Sequence, residues 1–206
     1  MESPCPFCEE FEAGKIEIKD KDKKLEINRI IYSSENFVVF PSLGQIVEGY
    51  LLIVPKKHYI SIAQIPSKHY RELREVQEKV RKTLKEHYCE PVFFEHGPFS
   101  EHERAGCCIE HAHLNAIPTE ARLLEEITKH FEYKRIKSFS ELPKQTAYLF
   151  LEEDGEKYVF PIKDVIPRQY LRQVLASKLN VPEKWDWRDY LGIEELQNTI
   201  RKLESN

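Results

Sequence analysis

Apolar residues fall at steps of three and four over 67–84, where Tyr70, Leu73, Val76, Val80 and Leu84 mark one face and Lys, Arg and Glu the other. That spacing predicts an amphipathic helix opening near Ser67 as N-cap, with one side against a sheet and one side wet. The preceding ENFVVFPSLGQIVEGYLLIVPKKH reads as two strands, Phe37 to Phe40 and Tyr50 to Val54, paired antiparallel through a loop rich in Pro and Gly. PVFFEHG is a further strand, followed by a loop from Pro98 to Ala105. In CCIEHAHLNAIPT the period becomes two, so a strand would put Ile109, His111, His113, Asn115 and Ile117 on one face. A single His on such a face is ordinarily a surface residue. Three polar rings and amides between two isoleucines read instead as a pocket floor.

Flanking segments are less informative about chemistry. KIEIKDKDKKLEINRIIYSS alternates charged and aliphatic residues, as an exposed hairpin or charged loop would, and EARLLEEITKHF reads as a short helix. KSFSELPKQ has the polarity of a linker, YLFLEEDGEKYVFPI that of a hairpin turning at Asp154-Gly155, and VIPRQYLRQVLASKLN predicts a helix after Pro167. WDWRDYL and a polar helix close the chain.

Composition narrows the function classes. A chain of 206 residues suits one sizeable core, or one domain with an appended subdomain. Its charged content of 32% is mixed in sign, and a net charge of −4 gives no general attraction to nucleic acid. No apolar run has spanning length, and MESPCPFCEEFEAG has neither the basic start nor the apolar middle of a signal peptide, so a cytoplasmic protein without membrane contact is expected. Five cysteines, Cys5, Cys8, Cys89, Cys107 and Cys108, form an odd set that argues against a disulfide framework.

The Cys5-to-Cys8 pair has two readings. A redox dithiol needs a strand ahead of its helix, and few residues precede Cys5. Half of a tetrahedral zinc site is the other reading, and spacing alone does not select which histidines complete it. His58 and His96 end strand-like runs, whereas His69, His87, His102 and His130 sit among charges and are expected to be solvated. Cys89, Cys107 and Cys108 are read as small core residues.

The order of these blocks over roughly 4–119, CPFC, LLIVPKKH, a helix, FFEHG and GCCIEHAHLNAIP, resembles the histidine-triad (HIT) superfamily, with His-x-His-x-Asn in place of His-x-His-x-His. Relatives with Gln at the third position include transferase, phosphorylase and splicing-associated branches. RQYLRQVLA and WDWR also resemble the extension of longer histidine-triad proteins. The resemblance implies an α+β fold, a HIT-like antiparallel sheet with one long helix over 1–119, extended by a C-terminal hairpin and helices over 120–206. It makes His113 the nucleophile of a nucleotidyl hydrolase or transferase that works through a covalent nucleotidyl-histidine, with His111 and Asn115 beside it in the catalytic set. The implied substrate is a nucleoside phosphate or dinucleoside polyphosphate, and a homodimer is possible within the family. Zinc-bearing members match at Cys5, Cys8, His58 and His111, four protein ligands that make the zinc structural.

Two positions depart from the family pattern. Ser42 stands where many members carry Asp or Asn for the ribose hydroxyls, and Gly106-Cys107-Cys108 stands where a Gly-Gln-Ser/Thr phosphate loop usually runs. Phosphate contacts are then expected from main-chain N–H groups at Gly106 and Cys108, from Glu95 or His96 at the pocket edge, or from Gln169 and Arg172 of the C-terminal helix. These departures keep a second class open, a nucleotide- or RNA-binding module of the same fold without turnover.

Overall fold

The computed structural model describes residues 5–20, 23–100 and 105–204. His102 lies outside them. In chain order the elements are α1 (Pro6–Ala13), β1 (Ile16–Asp20), β2 (Lys23–Ile27), β3 (Tyr32–Ser33), β4 (Phe37–Pro41), β5 (Leu51–Pro55), α2 (Tyr70–His87), β6 (Pro91–Gly97), β7 (Leu114–Pro118), α3 (Leu124–Ile127), β8 (Lys134–Ile136), β9 (Tyr148–Glu153), β10 (Glu156–Pro161), α4 (Tyr170–Lys178) and α5 (Ile193–Glu204). Strands β1 and β2 form the expected outlying hairpin, and the others join one sheet in the order β3-β4-β5-β7-β6-β9-β10-β8. Every pairing is antiparallel.

Alternation explains how one sheet carries two cores. Val38, Phe40, Leu52, Val54 and Phe94 point to the face covered by Phe7 of α1 and by Leu171 and Leu175 of α4. Phe37, Val39, Leu51, Ile53 and Phe93 point the other way, onto Leu73, Val76, Val80 and Leu84 of α2. Because both faces are covered, the central strands are buried throughout and lose the wet side of a simple meander. The C-terminal hairpin continues this sheet: β9 pairs with β6 from Phe93↔Glu152 to Gly97↔Tyr148, so no seam in the sheet falls at residue 119. Asp154 and Gly155 both adopt positive φ, which closes the β9–β10 turn with the twist a tight hairpin needs.

Four local expectations change. The histidine strand begins only at Leu114, because the Ala112 N–H is bonded to the Tyr59 carbonyl beyond the end of β5 and the ladder starts at Ile53↔Leu114. Ser67 makes no capping bond: Ser67–His69 is a 3-10 turn, and α-helical bonding starts at Tyr70. The short helix after Glu120 is reduced to the four residues of α3, whose preceding N–H, that of Leu123, donates to the Glu153 carboxylate. KSFSELPKQ is no linker, since Phe139 and Leu142 are buried on the α2 side and the Phe139 ring lies 5.4 Å from that of Phe150.

Candidate active site and metal centre

The approach to β7 orients two imidazoles by main-chain carbonyls. His113 Nδ1 lies 2.6 Å from the His111 carbonyl oxygen, so Nδ1 carries the proton and Nε2 keeps its lone pair. Burial, followed by the positive charge of Arg172, lowers the His113 pKa and favours that neutral ring. His113 and Asn115 line a cavity of about 400 Å³ together with Phe7, Ser42, Tyr50 and the Gly106–Cys108 turn. Gln169, Arg172 and Trp187 close it from the C-terminal extension.

Asn115 is held on both sides. Its Oδ1 accepts from the Tyr50 hydroxyl at 2.7 Å, and its Nδ2 donates to the Phe94 carbonyl at 3.0 Å, leaving one amide hydrogen for a ligand. Arg172 braces the wall: its guanidinium donates to the carbonyls of Trp185 at 2.8 Å and Gly44 at 2.7 Å, and lies 5.1 Å from the centre of the Tyr50 ring. Its charge, unpaired with any carboxylate among the described residues, favours an anion in the cavity.

The remaining expected contacts divide between the two faces. His96 lines the cavity, but its Nε2 accepts from the Leu171 N–H at 3.1 Å, tying β6 to α4. Burial pushes its pKa down to about 3, so it stays neutral. Glu95 points to the opposite face, where it accepts from the Ile62 N–H at 2.7 Å and from the Tyr148 hydroxyl at 2.5 Å. Burial raises its pKa to about 8 there, and it is no part of the pocket edge. Ser42 lines the cavity with its hydroxyl donated to the Leu43 carbonyl at 2.8 Å. Gly106, at φ +73, gives its carbonyl to the Gln169 N–H at 2.7 Å; an added Cβ would collide with the Pro167 carbonyl. Cys108 is half-buried beside it, and Cys107 is buried with its thiol turned to the Ile109 carbonyl.

Other cavity residues carry no signal in the sequence. Tyr50 looks there like any aromatic strand residue, and nothing in WDWR marks Trp187 as a wall of the cavity. Arg29 and Glu10 form a buried two-bond pair at 2.8 and 2.7 Å that locks α1 over the cavity, and nothing in the charged stretch around Arg29 signals it.

Four donors converge next to this cavity. Cys5 caps α1 and Cys8 lies within its first turn, with Pro6 at the first helical position. Cys5 Sγ is 3.3 Å and Cys8 Sγ 3.7 Å from His111 Nδ1, while Cys8 Sγ is 3.5 Å from His58 Nδ1. All four ligand atoms lie within 4.8 Å of one another. Tetrahedral zinc, with bonds of about 2.3 Å to sulfur and about 2.0 Å to nitrogen, requires neighbouring ligands roughly 3.3–3.8 Å apart; the three sulfur–nitrogen distances lie in that range, and two thiols with two imidazoles are a donor set that suits the ion. His111 Nε2 donates to the Pro55 carbonyl at 2.8 Å, which leaves Nδ1 as the ligand atom, and burial lowers its pKa to about 4, which keeps it unprotonated. His111 thus faces the cysteines with its ring and holds His113 with its carbonyl.

The family described as "Scavenger mRNA decapping enzyme C-term binding" matches residues 16–122, just over half the chain. CWF19-like protein 1 of Pongo abelii is 30% identical over 173 residues, 77% of this chain and 31% of that protein. Zinc finger CCCH domain-containing protein 64 of Arabidopsis thaliana is 26% identical over 187 residues, 80% of this chain and 30% of that one. The chain therefore spans about a third of the length of these curated relatives. Among solved structures, a hypothetical histidine triad nucleotide-binding protein from Sulfolobus tokodaii aligns over 97% of both chains at 17% identity and a TM-score of 0.44. A Zn-bound histidine triad family protein from Mycobacterium smegmatis aligns over 56% of this chain and 75% of its own, at 20% identity and a TM-score of 0.44. No helix among the described residues is long and apolar enough to cross a membrane. By its match over residues 16–122, more than half of its length, the chain belongs to the family described as "Scavenger mRNA decapping enzyme C-term binding".

Proposed function

We propose that the chain is a nucleotidyl hydrolase or transferase acting on nucleoside phosphates or dinucleoside polyphosphates through His113. The observation that carries this reading is the 2.6 Å contact from His113 Nδ1 to the His111 carbonyl, which leaves a neutral imidazole with an available Nε2 at the cavity wall. In the first step Nε2 attacks the α-phosphorus; an N–P bond forms, and the P–O bond to the leaving group breaks with its electron pair on the leaving oxygen. The His111 carbonyl steadies the imidazolium character that develops, and Arg172 and the remaining Asn115 N–H favour the phosphoryl charge. Water, losing a proton to solvent, or a phosphate acceptor then attacks phosphorus, the N–P bond breaks, and Nε2 recovers its lone pair. Cys5, Cys8, His58 and His111 would hold zinc, which would brace the His111 main chain behind His113.

Mixing the protein with diadenosine tetraphosphate, followed by an alkaline denaturing quench that preserves an N–P bond and by intact-mass measurement, tests the covalent step. A mass gain of one adenylyl group that is absent in His113→Ala is expected, and no gain under single-turnover conditions overturns the mechanism.

A second reading, nucleotide or RNA binding without turnover, draws on the engaged carboxamide of Asn115, which offers no titratable proton at the third triad position. It is distinguished by tight nucleotide binding with no adduct and no product.

A further inference from the structure

Gln169 enters α4 with φ +54 and ψ 33, a left-handed conformation that glycine adopts more readily than any residue with a Cβ. Its main chain is fully engaged: the N–H donates to the Gly106 carbonyl at 2.7 Å, and the carbonyl accepts from the N–H groups of Arg172 at 2.8 Å and Gln173 at 3.0 Å. A strained position kept by a residue other than glycine directs attention to the side chain.

The residue is 4% exposed, yet it borders the main cavity. Nε2 donates to Asp186 Oδ1 at 2.9 Å. The same oxygen accepts the Arg188 N–H at 3.1 Å, and Asp186 Oδ2 pairs with Arg168 at 3.0 Å. The Asp186 pKa is lowered by these contacts against the opposing effect of burial, so the group is an ionised carboxylate that only accepts hydrogen bonds. The amide therefore cannot turn over. Its nitrogen must face Asp186, and Oε1 is left buried without a hydrogen-bond partner.

An orphaned buried acceptor beside a cavity is a demand for a donor. Phosphate oxygens do not meet it, since they are acceptors too. Trp187, next to Asp186, lines the same cavity and offers an aromatic wall. The segment that carries it is seated against Gly44, where an added Cβ would come within 2.5 Å of Trp187 Cβ.

The geometry points to Gln169 as a specificity-determining contact, whose Oε1 accepts a hydrogen bond from a neutral donor of the bound nucleoside, a base N–H or a ribose hydroxyl. This rests on the reading that a nucleotide occupies the cavity. A site built around such a bond discriminates strongly against analogues that lack the donor, because the acceptor then stays unpaired.

The test is a set of dissociation constants for paired nucleotides that differ in one donor: AMP against purine riboside monophosphate, GMP against IMP, UMP against its N3-methyl analogue, CMP against its 4-deamino analogue, and each ribonucleotide against its 2′-deoxy and 3′-deoxy forms. In the wild-type protein at least one pair should differ by about tenfold or more, and in Gln169→Met that ratio should fall to within about twofold, with the donor-free member binding as before. Base pairs that respond identify a base N–H, and sugar pairs a ribose hydroxyl. Asp186→Asn, which lets the amide rotate while retaining Oε1, should narrow the same ratio and gives an independent reading should Gln169→Met fail to fold. Equal binding within every pair, or a preference that survives both substitutions, overturns the inference alone. A wild-type protein that binds none of these nucleotides overturns the functional reading and this inference with it.

Discussion

The Tyr50 hydroxyl donates to Asn115 Oδ1 at 2.7 Å, so the third member of the triad is held by a phenol from the neighbouring strand end. A carboxamide in that setting has no proton to pass to a leaving group. Pyrophosphate and nucleoside polyphosphate leaving groups should react well, and amines slowly. Asn115→His should speed cleavage of an amine-leaving nucleotide by about a hundredfold, the lower end of what one general acid contributes. Added phosphate should also divert part of the product from nucleoside monophosphate to diphosphate in the wild-type protein. Cleavage of amine and polyphosphate substrates at equal rates, with hydrolysis product alone at every phosphate concentration, would falsify this role.

His113→Ala should lose at least several hundredfold in turnover, on the order of the loss when a nucleophile is removed, while retaining nucleotide affinity. His69→Ala, at a partly exposed position ahead of α2, is the control. The measurement is single-turnover rate alongside equilibrium binding.

Purified protein should carry about one zinc per chain, as expected for a closed four-ligand site. Cys8→Ser removes a ligand that approaches both His58 and His111, so zinc content and thermal stability should fall together. Metal analysis that finds no zinc, with an unchanged melting temperature in Cys8→Ser, returns the cysteine pair to an incidental or redox role.

Gly44 has φ +67, and an added Cβ would meet Trp187 Cβ at 2.5 Å and an Arg172 guanidinium nitrogen at 2.8 Å. Gly44→Ala should therefore destabilise the fold by about 2–4 kcal/mol, from left-handed strain plus overpacking. Urea unfolding measures the loss. Because the clash displaces the C-terminal wall, nucleotide affinity should fall as well, and an unperturbed midpoint would show that the wall is loosely seated.

Some of this molecule is local and was therefore legible in the chain. Periods of 3.6 and 2 mark α2 and the strands because burial of one face sets them residue by residue, and Asp154-Gly155 announces its turn because few residues tolerate positive φ. The Cys pair and the His-x-His-x-Asn block carry their chemistry within a few residues each. Other features depend on contacts between distant segments. His58 and His111 join cysteines 50 and 106 residues away only because β5 and β7 pair beneath α1. Alternation assigns Glu95 and His96 to opposite faces, but the register Phe94↔Asn115 decides that the cavity is on the side of His96. Nothing near Gln169 in sequence fixes its amide; Asp186 does, across 17 residues, by being able only to accept. Sequence periodicity states which residues share a face, whereas register and long-range hydrogen bonds determine what that face meets.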